Sequence, residues 1–329
     1  MKKRLLITGA SGFVGFHLIN EALKQGFDVY AAVRKGSLIE HLSDLPVHYT
    51  HLNYDSEDAL LREIDEKAYH YIIHAAGITK AKSFDVYKEV NADYTQKLVD
   101  AARRAAIPIE KFILVSSLAA LGPLRDIDSL IQDNGTPQPV TSYGKSKLLA
   151  EQYLAGVTDL PWLIIRPTAV YGPRERDLYV IFKTIKQGLD PHIGRFPQQL
   201  SFIYVKDLVR VLVNALGQPV IHQSYNVSDG EVYSRYALSE IARKVLKKRA
   251  LRVHIPVSAV NLLASLMEKL YARRKDTPVL NKEKMHELTA VNWACDISRL
   301  QHDLHFQPQY KLQQGLEETL LWYKDQRWL

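Results

Sequence analysis

Apolar residues in the first half of the chain fall in short, nearly unbroken runs separated by longer stretches of helical spacing. The runs cover residues 5–8, 29–33, 47–52, 71–75, 112–116 and 162–166. Several lack polar alternation, which is the pattern of a strand buried on both faces. Between them, 16–25, 57–66, 87–106 and 142–154 repeat their apolar positions every three or four residues and read as helices. This alternation predicts an α/β fold, a doubly wound parallel sheet with helices on both faces. After Pro173 helical spacing dominates, with strand-like pieces at 202–205 and 224–227 and a final helix at 312–323. Residues 1–173 are therefore expected to form the sheet domain. Residues 174–329 should form a smaller, mostly helical lobe, with segments near 202–228 returning to the main domain. No Gly/Ser linker separates the two, so one interlocked unit is expected.

Composition narrows the class. Of 329 residues, 47% are hydrophobic and 24% charged, enough apolar material for a sizeable core. No stretch approaches the roughly 18 uninterrupted apolar residues of a membrane helix. Only three apolar residues follow Lys2-Lys3-Arg4, too few for a signal-peptide core. A single cysteine, Cys295, excludes internal disulfides and suits a small packed residue in reducing surroundings, so a cytoplasmic location is expected. The net charge is +7, with basic clusters at Lys244, Lys247, Lys248, Arg249 and Arg252 and at Arg273-Arg274-Lys275. These read as solvated helix faces, and neither nucleic acid nor membrane is expected as a partner. The stretch 256–271 is apolar at helical spacing (Val260, Leu262, Leu263, Leu266, Met267, Leu270) and reads as the wall of a substrate pocket. A membrane-surface helix is the alternative.

The first strand-to-helix junction carries Thr8-Gly9-Ala10-Ser11-Gly12-Phe13-Val14-Gly15. Glycines there let the chain turn tightly and let a pyrophosphate approach. The following helix offers free N–H groups and the positive end of its dipole. A simple tight turn is the plainer reading of the same glycines. Further on, Tyr143 and Lys147 share one face of a helix that Ser142 is placed to cap. An ammonium beside a phenol favours the phenolate and is expected to draw Tyr143 down from about 10 toward neutrality. The phenol can then exchange a proton with a hydroxyl/carbonyl pair. With 18 tyrosines in the chain, this spacing alone is common. Ser116-Ser117 and His74-Ala75-Ala76-Gly77 close two strands at the sheet edge where α/β ligands bind. They add a hydroxyl for a developing oxyanion and a turn of small residues. No metal site is expected, because His70 and His74 have no matching acidic or histidine cluster. Ser116-Ser117 also lacks the Gly-x-Ser-x-Gly elbow of a serine hydrolase.

Taken in order, these motifs and Arg166-Pro167-x-x-Val170-Tyr171-Gly172-Pro173 resemble the extended short-chain dehydrogenase/reductase superfamily. That superfamily includes nucleotide-sugar epimerases and dehydratases, and the segment Phe202-Ile203-Tyr204-Val205-Lys206-Asp207-Leu208 continues the likeness. The resemblance implies a Rossmann-like cofactor domain. It makes Tyr143 the acid/base, Lys147 the partner of the nicotinamide ribose, and Ser117, rather than Ser116, the holder of the substrate oxygen. Gly9, Ser11, Gly12, Phe13, Val14 and Gly15 would hold the pyrophosphate. Ala75, Ala76 and Gly77 would let the cofactor pass, Asn91 would support the site, and Pro167, Thr168 and Val170 would meet the carboxamide. A homodimer through helices 87–106 and 142–154 is also implied.

The second strand ends in Arg34-Lys35-Gly36-Ser37, without the acidic residue that usually meets the ribose hydroxyls of NAD. Arg34 is placed for a 2′-phosphate, so NADP(H) is expected over NAD(H); a solvated loop arginine is the plainer reading. Asn53 stands where the family often has an adenine-contacting Asp. Ser201 stands where nucleotide-sugar epimerases commonly have an arginine, which points toward the branch of dihydroflavonol reductases and hydroxysteroid dehydrogenases. The expected activity is hydride transfer between NADP(H) and a secondary alcohol/ketone pair or an aldehyde. The alternatives are a nucleotide-sugar epimerase or dehydratase with tightly bound NAD(P), and a non-catalytic NADP(H) sensor. The small-molecule substrate is expected to touch Thr79, Leu118, Ala119, Tyr171, Arg174, Tyr179, Phe182 and Phe202.

Overall fold

A computed structural model of the chain describes residues 2–271 and 281–329, so Arg273, Arg274 and Lys275 lie outside the described residues. Its centre is a seven-stranded sheet. The strands are β1 (Arg4–Thr8), β2 (Asp28–Ala32), β3 (His48–Thr50), β4 (Tyr71–His74), β5 (Lys111–Val115), β6 (Trp162–Pro167) and β7 (Gln223–Val227). They run parallel in the order β7-β6-β5-β4-β1-β2-β3. The chain moves outward from β1 to β3 and then crosses back to β4. The carboxyl ends of β1 and β4 therefore flank the point where strand order reverses, the place where α/β sheets bind ligands.

The pleat of β1 shows why this sequence needs two helical layers. Leu5 and Ile7 pack on one face with Leu18, Ile19, Leu208 and Leu212, while Leu6 packs on the other with Leu60, Ile64, Leu98 and Ala150. Each such side chain contributes about 1.5–3 kcal/mol by leaving water.

Three element expectations change. The third strand is shorter than expected, because His48 and Tyr49 sit exposed at the sheet edge. The expected helix 87–106 is broken into Phe84–Lys88, a π turn at Glu89–Asp93, and Tyr94–Arg104. The later lobe also contains two strands that helical spacing concealed, Leu189–Ile193 and Leu251–Ile255, which pair in parallel. Elsewhere in that lobe, Phe202–Tyr204 pairs with Ala169–Tyr171, and the helix Leu312–Asp325 packs against them.

The helix Val257–Tyr271 corrects another expectation. It buries only Val260 and Ala264, while Leu262 and Leu270 are 64% and 70% exposed, so its leucines line no pocket wall. Among the described residues, no helix is long and apolar enough to cross a membrane.

Candidate active site

The glycine loop folds back on itself, with Gly12 N–H donating to Gly9 O at 3.0 Å. Gly9 has φ +69°, and a Cβ there would come within 2.8 Å of the Ala75–Ala76 peptide. A Cβ on Gly15 would meet Gly9 O at 2.2 Å. These two glycines let the loop, the end of β4 and the helix Phe13–Lys24 pack backbone to backbone. A Cβ on Gly12 would meet only Gly9 O, at 3.2 Å. The helix has no side-chain cap and no acid in its first turn, which leaves its N-terminal N–H groups and dipole to an anion.

Behind this loop lies a closed chain of neutral hydrogen bonds. Thr8 Oγ1 accepts from Ala76 N at 3.0 Å and lies 2.8 Å from His74 Nδ1. His74 Nε2 is 3.0 Å from Thr95 Oγ1, which donates to Asn91 O at 2.8 Å. The donors fix the tautomer: His74 carries its proton on Nε2 and accepts from Thr8 at Nδ1. Burial first, and the nearby Lys147 charge second, lower its pKa to about 3.

The next layer carries the chemistry. Thr141, not Ser142, caps the helix Ser142–Ala155, its hydroxyl accepting from Gly144 N at 3.1 Å. Ser142 instead donates to Glu283 at 2.6 Å. A Cβ on Gly144 would lie 2.3 Å from Ala119 O, so only glycine lets this helix reach the turn that holds Ser117. This brings Tyr143, in the first turn of the helix, to the turn that carries Ser117. Ser117 Oγ accepts from Ala119 N at 3.2 Å. Ser116 turns away, donating to buried Glu151, which in turn pairs with Arg166 at 2.7 Å.

Lys147 is buried and donates to Val115 O at 3.0 Å. A Cβ on Gly77 would stand 3.2 Å from Lys147 Nζ and 3.0 Å from Asn91 Oδ1. Gly77 is itself exposed, so the ammonium lies just beneath the surface there. Burial lowers the Lys147 pKa to about 8, against the opposing pull of Glu151. Tyr143 moves opposite to the sequence expectation. Burial raises it to about 12, Ser117 pulls it partly back, and Glu287 and Tyr87 add to the rise. The ammonium does not hold the phenol down, because Lys147 is drawn to the Val115 carbonyl.

Several expected residues surround this core as supports. Asn91, placed inward by the π turn, clamps Ile78 N and O at 2.8 and 3.0 Å and Ser146 Oγ at 2.9 Å. Thr168 ties its N–H to Val227 O at 3.0 Å, following Pro167 at the end of β6 and preceding Val170. Arg34 is exposed after β2 and, among the described residues, has no ion pair. Asn53 accepts from Asp55 N at 3.0 Å, which leaves its NH2 outward. Thr79 is exposed, with its carbonyl accepting from Tyr87 Oη at 3.1 Å, while Leu118 is buried beside Ala119.

Others lie elsewhere. Tyr171 and Phe202 are core residues packed edge to face, and Phe182 is fully buried against Tyr323. Tyr179 packs on Trp328. Position after a strand suggested a pocket for these four; the C-terminal helix and tail pack on Tyr171, Phe182 and Tyr179, and Tyr171 and Tyr233 pack on Phe202. Arg174, at φ +77°, stacks 4.3 Å from the centre of the Phe16 ring, over the glycine-loop helix rather than beside Tyr143.

Some contributors escaped sequence reasoning. Thr95 completes the Thr8–His74 network from outside any motif, and the roles of Thr8 and His74 as hydrogen-bonding side chains were not read. Glu283 and Glu287, from the helix Lys282–Leu288, reach across about 140 residues of chain to Ser142 and Thr141. His41 packs on Phe16 of the glycine-loop helix, ring centres 5.8 Å apart. Gly144 alone had a signal, a glycine inside a helical pattern, which usually marks close packing.

The NAD dependent epimerase/dehydratase family model matches residues 5–228. The chain belongs to this family. It is an NAD(P)-dependent enzyme of the extended short-chain dehydrogenase type. Across nearly its whole length it is similar to a ceramide reductase of Caulobacter vibrioides, 26% identical and covering 98% of this chain and 95% of the relative. A UDP-glucose 4-epimerase of Vibrio cholerae is 25% identical, covering 97% and 95%. A 3 beta-hydroxysteroid dehydrogenase/Delta 5-->4-isomerase of Mycobacterium tuberculosis is 26% identical, covering 97% and 90%. The fold is shared with the UDP-glucose 4-epimerase of Thermotoga maritima, solved with UDP-glucose. Its TM-score is 0.80 at 18% identity, over 98% of this chain and 99% of that one. Family members thus include both sugar-nucleotide and lipid or steroid enzymes.

Proposed function

We propose that this chain is an NADP(H)-dependent oxidoreductase that interconverts a secondary alcohol and a ketone, with Tyr143 carrying the proton. The observation that supports this best is the close contact of Gly144 with Ala119 O, which brings the start of the Tyr143 helix to the turn that holds Ser117, with the buried Lys147 ammonium under Gly77. A dinucleotide fits the residues present. Gly12 and the uncapped helix end suit its pyrophosphate, and Lys147, with one acceptor at Val115 O, has donors left for ribose hydroxyls. Arg34, exposed and without an ion pair among the described residues, after a strand end lacking an acid, suits a 2′-phosphate. Arg174 and His41 belong to the cofactor side of the site.

The bound nicotinamide would supply or accept hydride. Ser117 would hold the substrate oxygen. Tyr143, protonated at neutral pH because burial raises its pKa, would give its proton to the oxygen as negative charge develops there. The names of two relatives, a ceramide reductase and a hydroxysteroid dehydrogenase, favour a bulky apolar substrate. Ser201 agrees, since it is buried and hydrogen-bonded to Glu231 O at 3.3 Å, where it offers no charge to a sugar-nucleotide diphosphate.

The same reading assigns cofactor binding to residues 1–173 and most substrate contacts to 174–329. It also pairs two copies through helices near 87–106 and 142–154, which light-scattering mass tests. The decisive experiment is oxidation of NADPH and NADH against long-chain, steroid and nucleotide-sugar ketones, with Tyr143→Phe as control. Turnover with NADPH and an apolar ketone, lost in the variant, is the expected result. Equal or better turnover with NADH removes the NADP(H) assignment. Sugar epimerisation without net NADPH consumption, with cofactor retained through purification, replaces the proposal with an epimerase.

A further inference from the structure

The ribbon formed by Leu189–Ile193 and Leu251–Ile255 is inverted. Its alternate residues Asp190, His192, Arg252 and His254 turn inward, where Asp190 is buried and bonded to Arg252 at 3.2 Å and to His192 at 2.8 Å. Leu189, Pro191, Leu251, Val253 and Ile255 turn outward, and the register pairs Leu189 with Leu251 and Pro191 with Val253 on one face. Leu251 is 68% exposed.

The chain runs from this ribbon through Pro256 straight into the helix Val257–Tyr271. That helix packs Val260 and Ala264 on Ile193 and Met285, and turns Leu262, Leu263, Leu266 and Leu270 to solvent. At 100° per residue these four span about 100° of the helix surface, a continuous stripe. A sheet face and a helix face that are both apolar outward, and adjacent, exceed what scattered surface leucines produce.

The charge around this surface says what covers it. Residues 183–189 and 244–259 contain no Asp or Glu. Lys183, Lys186, Lys244, Lys247, Lys248 and Arg249 are all exposed, and the chain enters the ribbon through Lys186 on one strand and Lys247-Lys248-Arg249 on the other. Leucines bordered by an acid-free run of cations match an anionic lipid surface, whose acyl layer takes the apolar side chains and whose phosphates take the ammonium and guanidinium groups.

We propose that the outward face of this ribbon and of the helix Val257–Tyr271 docks on anionic phospholipid bilayers. The position is economical for an apolar substrate. Glu268 of the docking helix accepts from Lys282 N at 2.8 Å, and the helix Lys282–Leu288 in turn places Glu283 and Glu287 on the N-terminus of the helix that carries Tyr143. The bilayer would lie one helix away from the active site.

The test is flotation of the full chain with vesicles of phosphatidylcholine and phosphatidylglycerol, beside vesicles of phosphatidylcholine alone. The wild type should float with the anionic vesicles and less with the neutral ones. Combined Leu262→Ser, Leu266→Ser and Leu270→Ser should lower partitioning at least tenfold, with thermal unfolding and NADPH titration unchanged. Combined Lys247→Glu, Lys248→Glu and Arg249→Glu should abolish the preference for anionic vesicles. A wild type that stays in solution, or a leucine variant that floats equally, overturns the proposal. So does a wild-type oligomer that the leucine variant dissociates without any flotation, since the face would then cover a second copy.

Discussion

Two parallel pairings in this molecule obey opposite rules. In β1, β4 and β5 nearly every side chain is buried, and the strands are apolar on both faces. In the Leu189–Ile193/Leu251–Ile255 ribbon the polar residues face in and the apolar ones face out. Only the ribbon alternates, yet the parallel backbone pairing is the same in both. The difference lies in what each face meets: helices on both sides of the sheet, and an ionic cluster under the ribbon. Asp190 can be buried there only because Arg252, His192 and Ser239 surround it with donors. Apolarity therefore marks the interior in one region and an outer face in the other.

The largest effects belong at the carboxyl edge of the sheet. Tyr143→Phe should lower kcat by about 10²–10⁴-fold while leaving NADPH affinity and unfolding temperature near wild type. Steady-state kinetics beside a cofactor titration checks this. A loss of folding instead of rate would mean that the phenol is a core residue like Tyr171. Next comes the buried pair behind Ser116. Arg166→Leu leaves Glu151 charged and buried, and should cost about 3–5 kcal/mol in denaturant unfolding. The matching change in the ribbon, Arg252→Leu, should cost less, because that guanidinium is partly exposed and Asp190 keeps His192 and Ser239.

How much of this could be read from the chain follows the same division. The sheet strands, the strand–glycine loop–helix junction and the shared helix of Tyr143 and Lys147 were legible because each rests on local spacing: unbroken apolar runs, glycines around a strand end, and a four-residue step on a helix; the choice of Ser117 came from the family resemblance instead. The direction of the Tyr143 pKa was not legible, because it depends on burial and on Glu287, which arrives from far along the chain. Tyr171, Phe182 and Phe202 were misplaced for a related reason. Aromatic residues after a strand suit a pocket wall and a core equally, and only tertiary packing decides: the helix Leu312–Asp325 for Tyr171 and Phe182, Tyr171 and Tyr233 for Phe202. The ribbon was missed because Leu-Asp-Pro-His-Ile offers no clue that its apolar side is the wet one.

A pair of truncations measures the contrast directly. Leu6→Ala removes a fully buried side chain from β1 and should cost about 2–5 kcal/mol. Leu251→Ala removes a side chain that is mostly in water and should change stability by less than about 0.5 kcal/mol. Urea midpoints for the two variants suffice. Equal costs would mean that the ribbon's outer face is covered within the chain itself.

The two regions also differ in how their histidines should titrate. His74, enclosed by Thr8 and Thr95, has a folded pKa near 3, well below the unfolded value of about 6.5. A histidine depressed in this way adds nothing to the pH dependence above pH 6.5, where it is neutral in both states. Below that, the unfolded chain takes up a proton that the folded chain refuses, so stability falls by up to about 1.4 kcal/mol per pH unit until the folded pKa is reached. His192 in the ribbon is also lowered by burial, but Asp190 pulls it back up. Ring nitrogen shifts followed from pH 8 to pH 4 should therefore show His74 unchanged while His192 begins to take up its proton. If His74 titrates first, the closed hydroxyl–imidazole chain at the end of β4 is not what holds it neutral, and the sheet edge is wetter than the ribbon.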